Sequence, residues 1–228
     1  MTRQQPNVLT EHEGEVMPGL PGLLPEGEYV RWQGRPDWRD FAVTALHVRK
    51  LAVYFVILLA IRVAFDVQAG APLAQSVAAT SGLAVLALLA LGVLSLLAWL
   101  MARAACYTIT NQRIIIRCGV ALSFSVNLPF ARVLGADFRQ RANGHGDIPI
   151  KLDRKSNPSF IILWPHVRPW SFGSLQPMLR SLPDGGRAAA VLADALRTYA
   201  RESGSEEVPV RVSREERVMG GQPSPSAG

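Results

Sequence analysis

The residue types that most often carry out chemistry are few and scattered in this sequence. It contains four histidines and two cysteines, namely His12, His47, His145, His166, Cys106 and Cys118. The histidines are isolated from one another, and the cysteines lack the Cys-x-x-Cys spacing of a zinc or redox site. No acid and base pair or nucleophile can be named for a catalytic centre. We therefore expect a protein that is not an enzyme and that uses no metal or other cofactor.

Three of these residues keep a chemical alternative open. If the chain turns at Asn111, Cys106 and Cys118 become near neighbours, either as a core pair or as a redox-sensitive pair. His47 lies at the edge of an apolar run, where an imidazole is either a solvated or capping residue or a ligand to the magnesium of a chlorin pigment. Two cysteines make no disulfide framework, so a reducing, cytoplasmic location is expected for them.

Tryptophan and arginine are combined in two segments that could form contact surfaces. In the first, Trp32 and Trp38 alternate with arginines. In the second, residues 164–170, two prolines hold an extended segment rich in side chains that are enriched at protein interfaces. Each segment is either a partner-contact surface or local packing. The candidate contact residues are Trp32, Trp38, Trp164, His166, Arg168 and Trp170.

Two apolar runs must position these segments. Residues 76–102 carry no charge, and at ~1.5 Å per residue such a helix reaches about 40 Å, against a hydrocarbon core of about 30 Å. Residues 51–65 are interrupted by Arg62, but extending this helix to about Ala71 gives adequate length. The extension also puts Arg62 and Asp66 four residues apart, where they can pair at the far interface. The sequence predicts a two-span transmembrane hairpin.

Loop charges predict its orientation. The connection 66–75 has no Lys or Arg, whereas basic residues flank the two runs on their other sides: Arg39, Arg49, Lys50, Arg103, Arg113 and Arg117. Positive flanks stay cytoplasmic, so we expect a multi-pass inner-membrane protein with both termini in the cytoplasm. The formal charge of +6 is then explained by an anionic membrane face, without nucleic acid as a partner.

After the second run the hydrophobic period changes to two. Strands are predicted on both sides of Asn111-Gln112 and over residues 122–128, 132–139, 148–152 and 160–164. Gly144-His145-Gly146-Asp147 is predicted as a hairpin turn. A helix with one apolar stripe follows, formed by Ala188, Val191, Leu192, Ala195, Leu196 and Tyr199. This order predicts an antiparallel meander capped by a C-terminal helix.

The predicted organisation has five parts. Residues 1–27 form a flexible arm, and residues 28–50 a cytoplasmic juxtamembrane segment. The transmembrane hairpin covers 51–102, the soluble domain 103–202 and a disordered tail 203–228.

Short motifs spread over residues 24–200 resemble a known family. They are Leu24-Pro25-Glu26-Gly27-Glu28, Trp32-Gln33-Gly34-Arg35-Pro36-Asp37-Trp38, His47-Val48-Arg49-Lys50, Tyr107-Thr108-Ile109-Thr110, Asn127-Leu128-Pro129-Phe130, Gly146-Asp147-Ile148-Pro149, and Leu163-Trp164-Pro165-His166 with Arg168-Pro169-Trp170. Together they resemble the photosynthetic complex assembly proteins of the PuhB type, from purple and related phototrophic bacteria. Residues 107–119 also look like bacterial PH-like membrane proteins more broadly.

The resemblance implies a membrane α+β fold: a two-helix transmembrane hairpin plus a cytoplasmic PH-like antiparallel β domain capped by a C-terminal helix. It implies a non-enzymatic factor that helps to assemble the reaction centre and its core light-harvesting antenna in the photosynthetic membrane. The partners would be reaction-centre and core-antenna subunits and the lipid bilayer, with a homo-oligomer possible. The competing interpretation is a general PH-like membrane adaptor or lipid-sensing protein.

Overall fold

A computed structural model describes residues 20, 22, 24–153, 163–168, 175–205 and 208–214. The helices among them are α1 (Trp38–Thr44), α2 (Val48–Gln68), α3 (Leu73–Ala104) and α4 (Gly185–Ser203), with a 3-10 turn at Phe130–Arg132. The strands are β1 (Val30–Gly34), β2 (Cys106–Thr110), β3 (Arg113–Cys118), β4 (Phe124–Pro129), β5 (Val133–Gln140), β6 (Gly146–Leu152), β7 (Met178–Leu182) and β8 (Val210–Arg214).

The two predicted apolar helices are present as α2 and α3, which pack against each other. Both are long and apolar enough to cross a membrane. No residue of α2 is buried, and α3 buries mainly small side chains such as Ala87 and Ala98. The predicted pair of Arg62 and Asp66 is confirmed, with Nη2 3.1 Å from Oδ1.

The first sheet has the antiparallel order β1-β2-β3-β4. The predicted hairpin at Asn111-Gln112 is confirmed, and the Thr110 hydroxyl accepts from the Gln112 and Arg113 amides at its turn. Strand β1 lies in the segment predicted to be juxtamembrane, ahead of both long helices, yet it pairs along β2. The sheet therefore extends beyond the predicted domain boundary at residue 103, because β1 covers an edge that β2 would otherwise leave unpaired.

The second sheet has the order β7-β6-β5-β8. Strands β5 and β6 match predicted strands, and the turn before Asp147 joins them as expected. Of the predicted strand 160–164, only Leu163 and Trp164 are described, and they lie in a helical turn. Strand β8 corrects the predicted tail: residues 210–214 pair in parallel with β5, because that strand has a free edge to accept them.

One hydrophobic core joins the two sheets and α4. The predicted stripe of α4 is confirmed: Ala188, Leu192, Ala195 and Leu196 are buried, while Val191 and Tyr199 are half-buried against the core. The helix lies against both sheets, because it contacts β2 of the first sheet and β5 of the second. The predicted antiparallel strands and the capping C-terminal helix are thus present, but the strands are divided between two sheets instead of forming one meander, and β8 adds a parallel pair.

The cysteines are close in register but lie on opposite faces of the first sheet. Cys106 pairs with Arg117, so the next residue along β3, Cys118, points to the other side. Both thiols are buried, and burial raises the pKa of each. In this register they are not a directly facing pair.

Candidate functional site: the junction around α1

The short helix α1 connects the first sheet to the long helices. The Asp37 carboxylate caps its start by accepting from the Asp40 amide at 2.9 Å. Phe41 and Ala42 on one face are buried against Ala98 of α3. The other side meets β7, where the Asp37 amide donates to the Ser181 carbonyl at 2.8 Å. Helix α1 is thus held between the long helices and the second sheet.

Charged side chains hold α1 to the β5–β6 turn. The Arg141 guanidinium donates to both Asp40 on α1 and Asp147 at the start of β6. Asn143 donates to the second Asp40 oxygen at 2.7 Å, and the Ser181 amide donates to Asp147 at 2.8 Å. Both carboxylates are buried, so each depends on these donors to replace its water.

Arg180 of β7 joins the far end of α1 to a distant segment. Its Nη2 donates to the Thr44 carbonyl at 3.0 Å, in the last turn of α1, where a cation is favoured by the helix dipole. Its Nη1 donates to the Pro165 carbonyl at 2.9 Å. Burial lowers the pKa of Arg180. One buried guanidinium therefore fixes the 163–168 segment beside α1.

His166 is the polar centre of that segment. Its Nδ1 lies 2.6 Å from the Tyr107 hydroxyl, and its ring is 5.4 Å from the Phe41 ring. Burial, with a smaller contribution from the Arg180 charge, lowers the pKa of His166 from 6.5 to about 3. The Nδ1 of a neutral imidazole can accept a hydrogen bond from the Tyr107 hydroxyl, whose own pKa is raised by burial.

The prediction of His166 as a partner-contact residue is therefore wrong. Only 1% of it is exposed, because the hydrogen bond to Tyr107 and the Phe41 contact hold it inside the domain. The tryptophans next to these groups do reach the surface: Trp38 is 38% exposed at the start of α1, and Trp164 is 47% exposed beside Pro165. The two predicted segments thus meet at α1.

The other predicted site residues have different surroundings. Trp32 is half-buried against the core, and Arg168 donates to the Gln176 side chain at 3.1 Å. His47 is exposed immediately before α2. Trp170 lies outside the described residues. In the part of the chain that the structure describes, no three His, Cys, Asp or Glu side chains are grouped as metal ligands would be.

Sequence reasoning missed Asp40, Arg141, Asp147 and Arg180. We call these four residues, together with α1, Tyr107 and His166, the junction. The available signal was weak: Arg180 stands in the apolar run Met178–Leu182, where a charge needs buried partners. Nothing in the spacing indicates which partners those are.

Two comparisons place the chain among known proteins. The bacterial PH domain family matches residues 51–195, which include most of α2, all of α3, strands β2 to β7 and part of α4. A protein of Rhodobacter capsulatus, named as an uncharacterized 23.7 kDa protein in the puhA 5′ region, is 35% identical over 190 residues. That alignment covers 82% of this chain and 88% of the relative. No solved structure matches. By the extent of both matches, the chain belongs to the bacterial PH domain family.

Proposed function

We propose that this protein is a two-span membrane protein whose PH-like domain and both termini lie in the cytoplasm. The length and composition of α2 and α3 support this proposal. So does their outer surface, because large apolar side chains such as Phe65 and Leu88 are 66% and 69% exposed. Soluble proteins seldom leave such continuous apolar surface in water, whereas lipid would cover it. The basic flanks described above support the proposed orientation.

Within that membrane, we propose a non-enzymatic assembly factor of the PuhB type for the reaction centre and its core antenna. The observation that carries this proposal is the relative in the 5′ region of puhA, a reaction-centre gene, since the similarity extends along most of both chains. A general membrane adaptor is the competing function, and the family membership alone fits it equally well.

The junction suggests how such a factor would act. Helix α1 contacts both long helices, so Trp38 and Trp164 lie close to the base of the proposed spans. There they would meet the cytoplasmic portions of newly inserted reaction-centre or antenna subunits. Exposed tryptophans are frequent binding anchors, and truncating an anchor often costs about 2 kcal/mol, or roughly thirtyfold in affinity. The junction would keep both anchors in fixed positions.

The test is made in phototrophically grown cells of the organism that encodes the chain. Deleting the gene should lower reaction-centre and core-antenna absorbance in membranes. Replacing Trp38 and Trp164 together by alanine should do the same while immunoblots show normal amounts of the variant. Tyr29→Ala is the matched control. Tyr29 is an aromatic residue that is 55% exposed, and it lies beside Asn111, just after the end of β2, whereas α1 is near the start of β2.

The possible outcomes separate the proposals. Unchanged spectra after complete deletion would reject the assembly role and leave the general adaptor. If deletion lowers the absorbance but the double tryptophan variant does not, the proposed contact surface is rejected and the assembly role is kept. A variant that fails to accumulate would be replaced by the single changes Trp38→Phe and Trp164→Phe, which keep an aromatic ring.

A further inference from the structure

The connection between β3 and β4 exposes an unusual amount of apolar surface. No charged residue occurs between Arg117 and Arg132. Within this stretch Val120, Leu122 and Phe124 are 45%, 71% and 44% exposed. We call residues 119–124 the apolar turn. A turn that simply faced water would more often be built from polar residues.

Strand register places the apolar turn next to the end of α3. Strand β2 begins at Cys106, directly after α3 ends at Ala104. Cys106 pairs with Arg117, so the chain that continues past Arg117 is level with the last residues of α3. Helix α3 also contacts β3. The apolar turn is therefore at the end of the sheet from which the long helices emerge.

The apolar face of β4 leads out of the core toward this end. Leu128 is buried, Val126 is half-buried against the core, and Phe124 and Leu122 are increasingly exposed. The residues of β4 share one face at every second position. The sequence pattern predicted a strand with one buried side over residues 122–128. The domain covers that side only at Val126 and Leu128, the part farther from the end of α3. The uncovered part is at the end of the first sheet that is level with the end of α3.

The backbone of the apolar turn makes a close approach that only glycine allows. Gly119 has φ +108°, and a Cβ added there would lie 2.0 Å from the Leu122 carbonyl oxygen. The close approach positions Leu122 at the tip. Two basic residues are near it in the chain and in the strand register: Arg117 precedes the turn, and Arg103 lies in the last turn of α3, where it stacks over the Trp99 ring at 5.4 Å. Apolar tips with basic neighbours are typical of contacts with anionic membrane surfaces.

We propose that the apolar turn inserts Val120, Leu122 and Phe124 into the bilayer surface beside α3. This inference rests on the proposed membrane insertion of α2 and α3, because it is their bilayer that the turn would enter. The turn would be a third membrane contact, next to β4 at one edge of the first sheet, whereas β1 at the other edge leads into α1. Attachment near both edges would fix how the domain stands on the membrane, and so the direction in which Trp38 and Trp164 face.

The experiment uses the full-length protein in nanodiscs that hold one copy each, made of phosphatidylcholine and phosphatidylglycerol. An environment-sensitive fluorophore is attached to a cysteine introduced at Leu122. Cys106 and Cys118 stay in place, since both are buried and burial raises their pKa, which disfavours labelling. The unmodified protein measures background labelling. Lipids with a nitroxide on the upper part of the acyl chain, or in a second set near its end, quench only a label that touches the bilayer at that depth.

Two matched sites calibrate the result. Gln112→Cys labels the turn at the opposite end of the same strands, and Leu88→Cys labels an exposed position on α3. We expect strong lipid quenching at 122 and 88, and little at 112. Adding Val120→Asp to the Leu122→Cys protein should weaken the contact about tenfold or more, because it removes one inserted apolar side chain and adds a carboxylate.

Each outcome decides between the proposals. Quenching at 88 without quenching at 122 overturns the apolar-turn contact and leaves the spans intact. Absence of quenching at both sites overturns membrane insertion itself. Shielding of the label at 122 from an aqueous quencher, without lipid quenching, would mean that protein covers the turn, and this also overturns the inference. All labelled variants are compared by circular dichroism, and Phe124→Cys replaces Leu122→Cys if that protein does not fold.

Discussion

The Tyr107 hydroxyl lies 2.6 Å from Nδ1 of His166, although 59 residues separate the two in sequence. Tyr107 belongs to β2 of the first sheet, and His166 to a segment that Arg180 of the second sheet holds beside α1. The Arg180 amide also faces the same hydroxyl, at 3.3 Å. This buried contact therefore ties together both sheets and the helix that leads to the proposed spans.

Stability should fall as the pH is lowered toward 5. The pKa of His166 is about 3 in the folded protein and 6.5 when unperturbed, so between these values only the unfolded state binds the proton. The part of the stability that depends on an uncharged His166 is present above pH 6.5 and is lost progressively as the pH falls below that value. From pH 7 to pH 5 the expected loss is about 2 kcal/mol. Chemical unfolding of the purified protein at the two pH values measures it.

His166→Asn should remove most of this pH dependence, because the amide oxygen can still accept from Tyr107 but does not titrate. His47→Asn is the control, since His47 is exposed and its replacement should leave the dependence unchanged. An equally steep pH dependence in the His166→Asn protein would mean that another group is responsible.

Replacing Arg141 by Gln should destabilise the domain by about 3 kcal/mol. The change leaves Asp40 and Asp147, both buried, without the cation that they share. Arg139→Gln, two residues earlier at the end of β5, is the control, because Arg139 is exposed and surface charges contribute little. Denaturant midpoints of the purified proteins give the comparison. Equal midpoints for the two variants would contradict a structural role for the Arg141 network.

Leu192→Asp should cost at least about 3 kcal/mol, because it removes buried apolar contacts and places an unpaired carboxylate in the core. Ala190→Asp puts the same charge on the exposed side of α4 and should cost little. Protease resistance and thermal unfolding report on both. A Leu192→Asp protein as stable as the Ala190→Asp protein would show that α4 is peripheral to the fold.

Gly119→Ala should disturb the apolar turn. The added Cβ would meet the Leu122 carbonyl at 2.0 Å and would also occupy a left-handed backbone region, for a cost of roughly 1–3 kcal/mol. Gly144→Ala is the matched control, since φ there is +86° with no atom within 4 Å of the new Cβ. Hydrogen exchange is measured for the strand amides on both sides of each glycine, in β3 and β4 for Gly119 and in β5 and β6 for Gly144. We expect the larger rise in exchange rate in the Gly119→Ala protein. A similar response to both changes would assign the effect to φ alone.

Reporter fusions test the proposed topology. A reporter inserted after Gly70, between α2 and α3, should face the periplasm, whereas one attached to the C-terminus should face the cytoplasm. A C-terminal fusion leaves β8 intact. A cytoplasmic signal from the Gly70 fusion would reject the two-span arrangement.

Local patterns in the sequence were sufficient to predict several elements. Unbroken apolar composition indicated α2 and α3, a two-residue break between β-rich runs indicated the β2–β3 hairpin, and the stripe through Leu192 and Leu196 indicated the buried face of α4. These features are set within a few residues by side-chain periodicity and turn chemistry, so they need no knowledge of the rest of the fold.

The tertiary structure alone decided the pairings that cross long distances. Strand β1 pairs with β2 although both long helices intervene, and β8 joins β5 from a polar region that carries no strong strand pattern. His166 is inside and Trp164 outside because Arg180 fixes the backbone between them. Leu128 and Leu122 occur in the same alternating pattern, yet only Leu128 is covered. Periodicity defines the faces of a strand, but the elements packed over it determine which residues are buried.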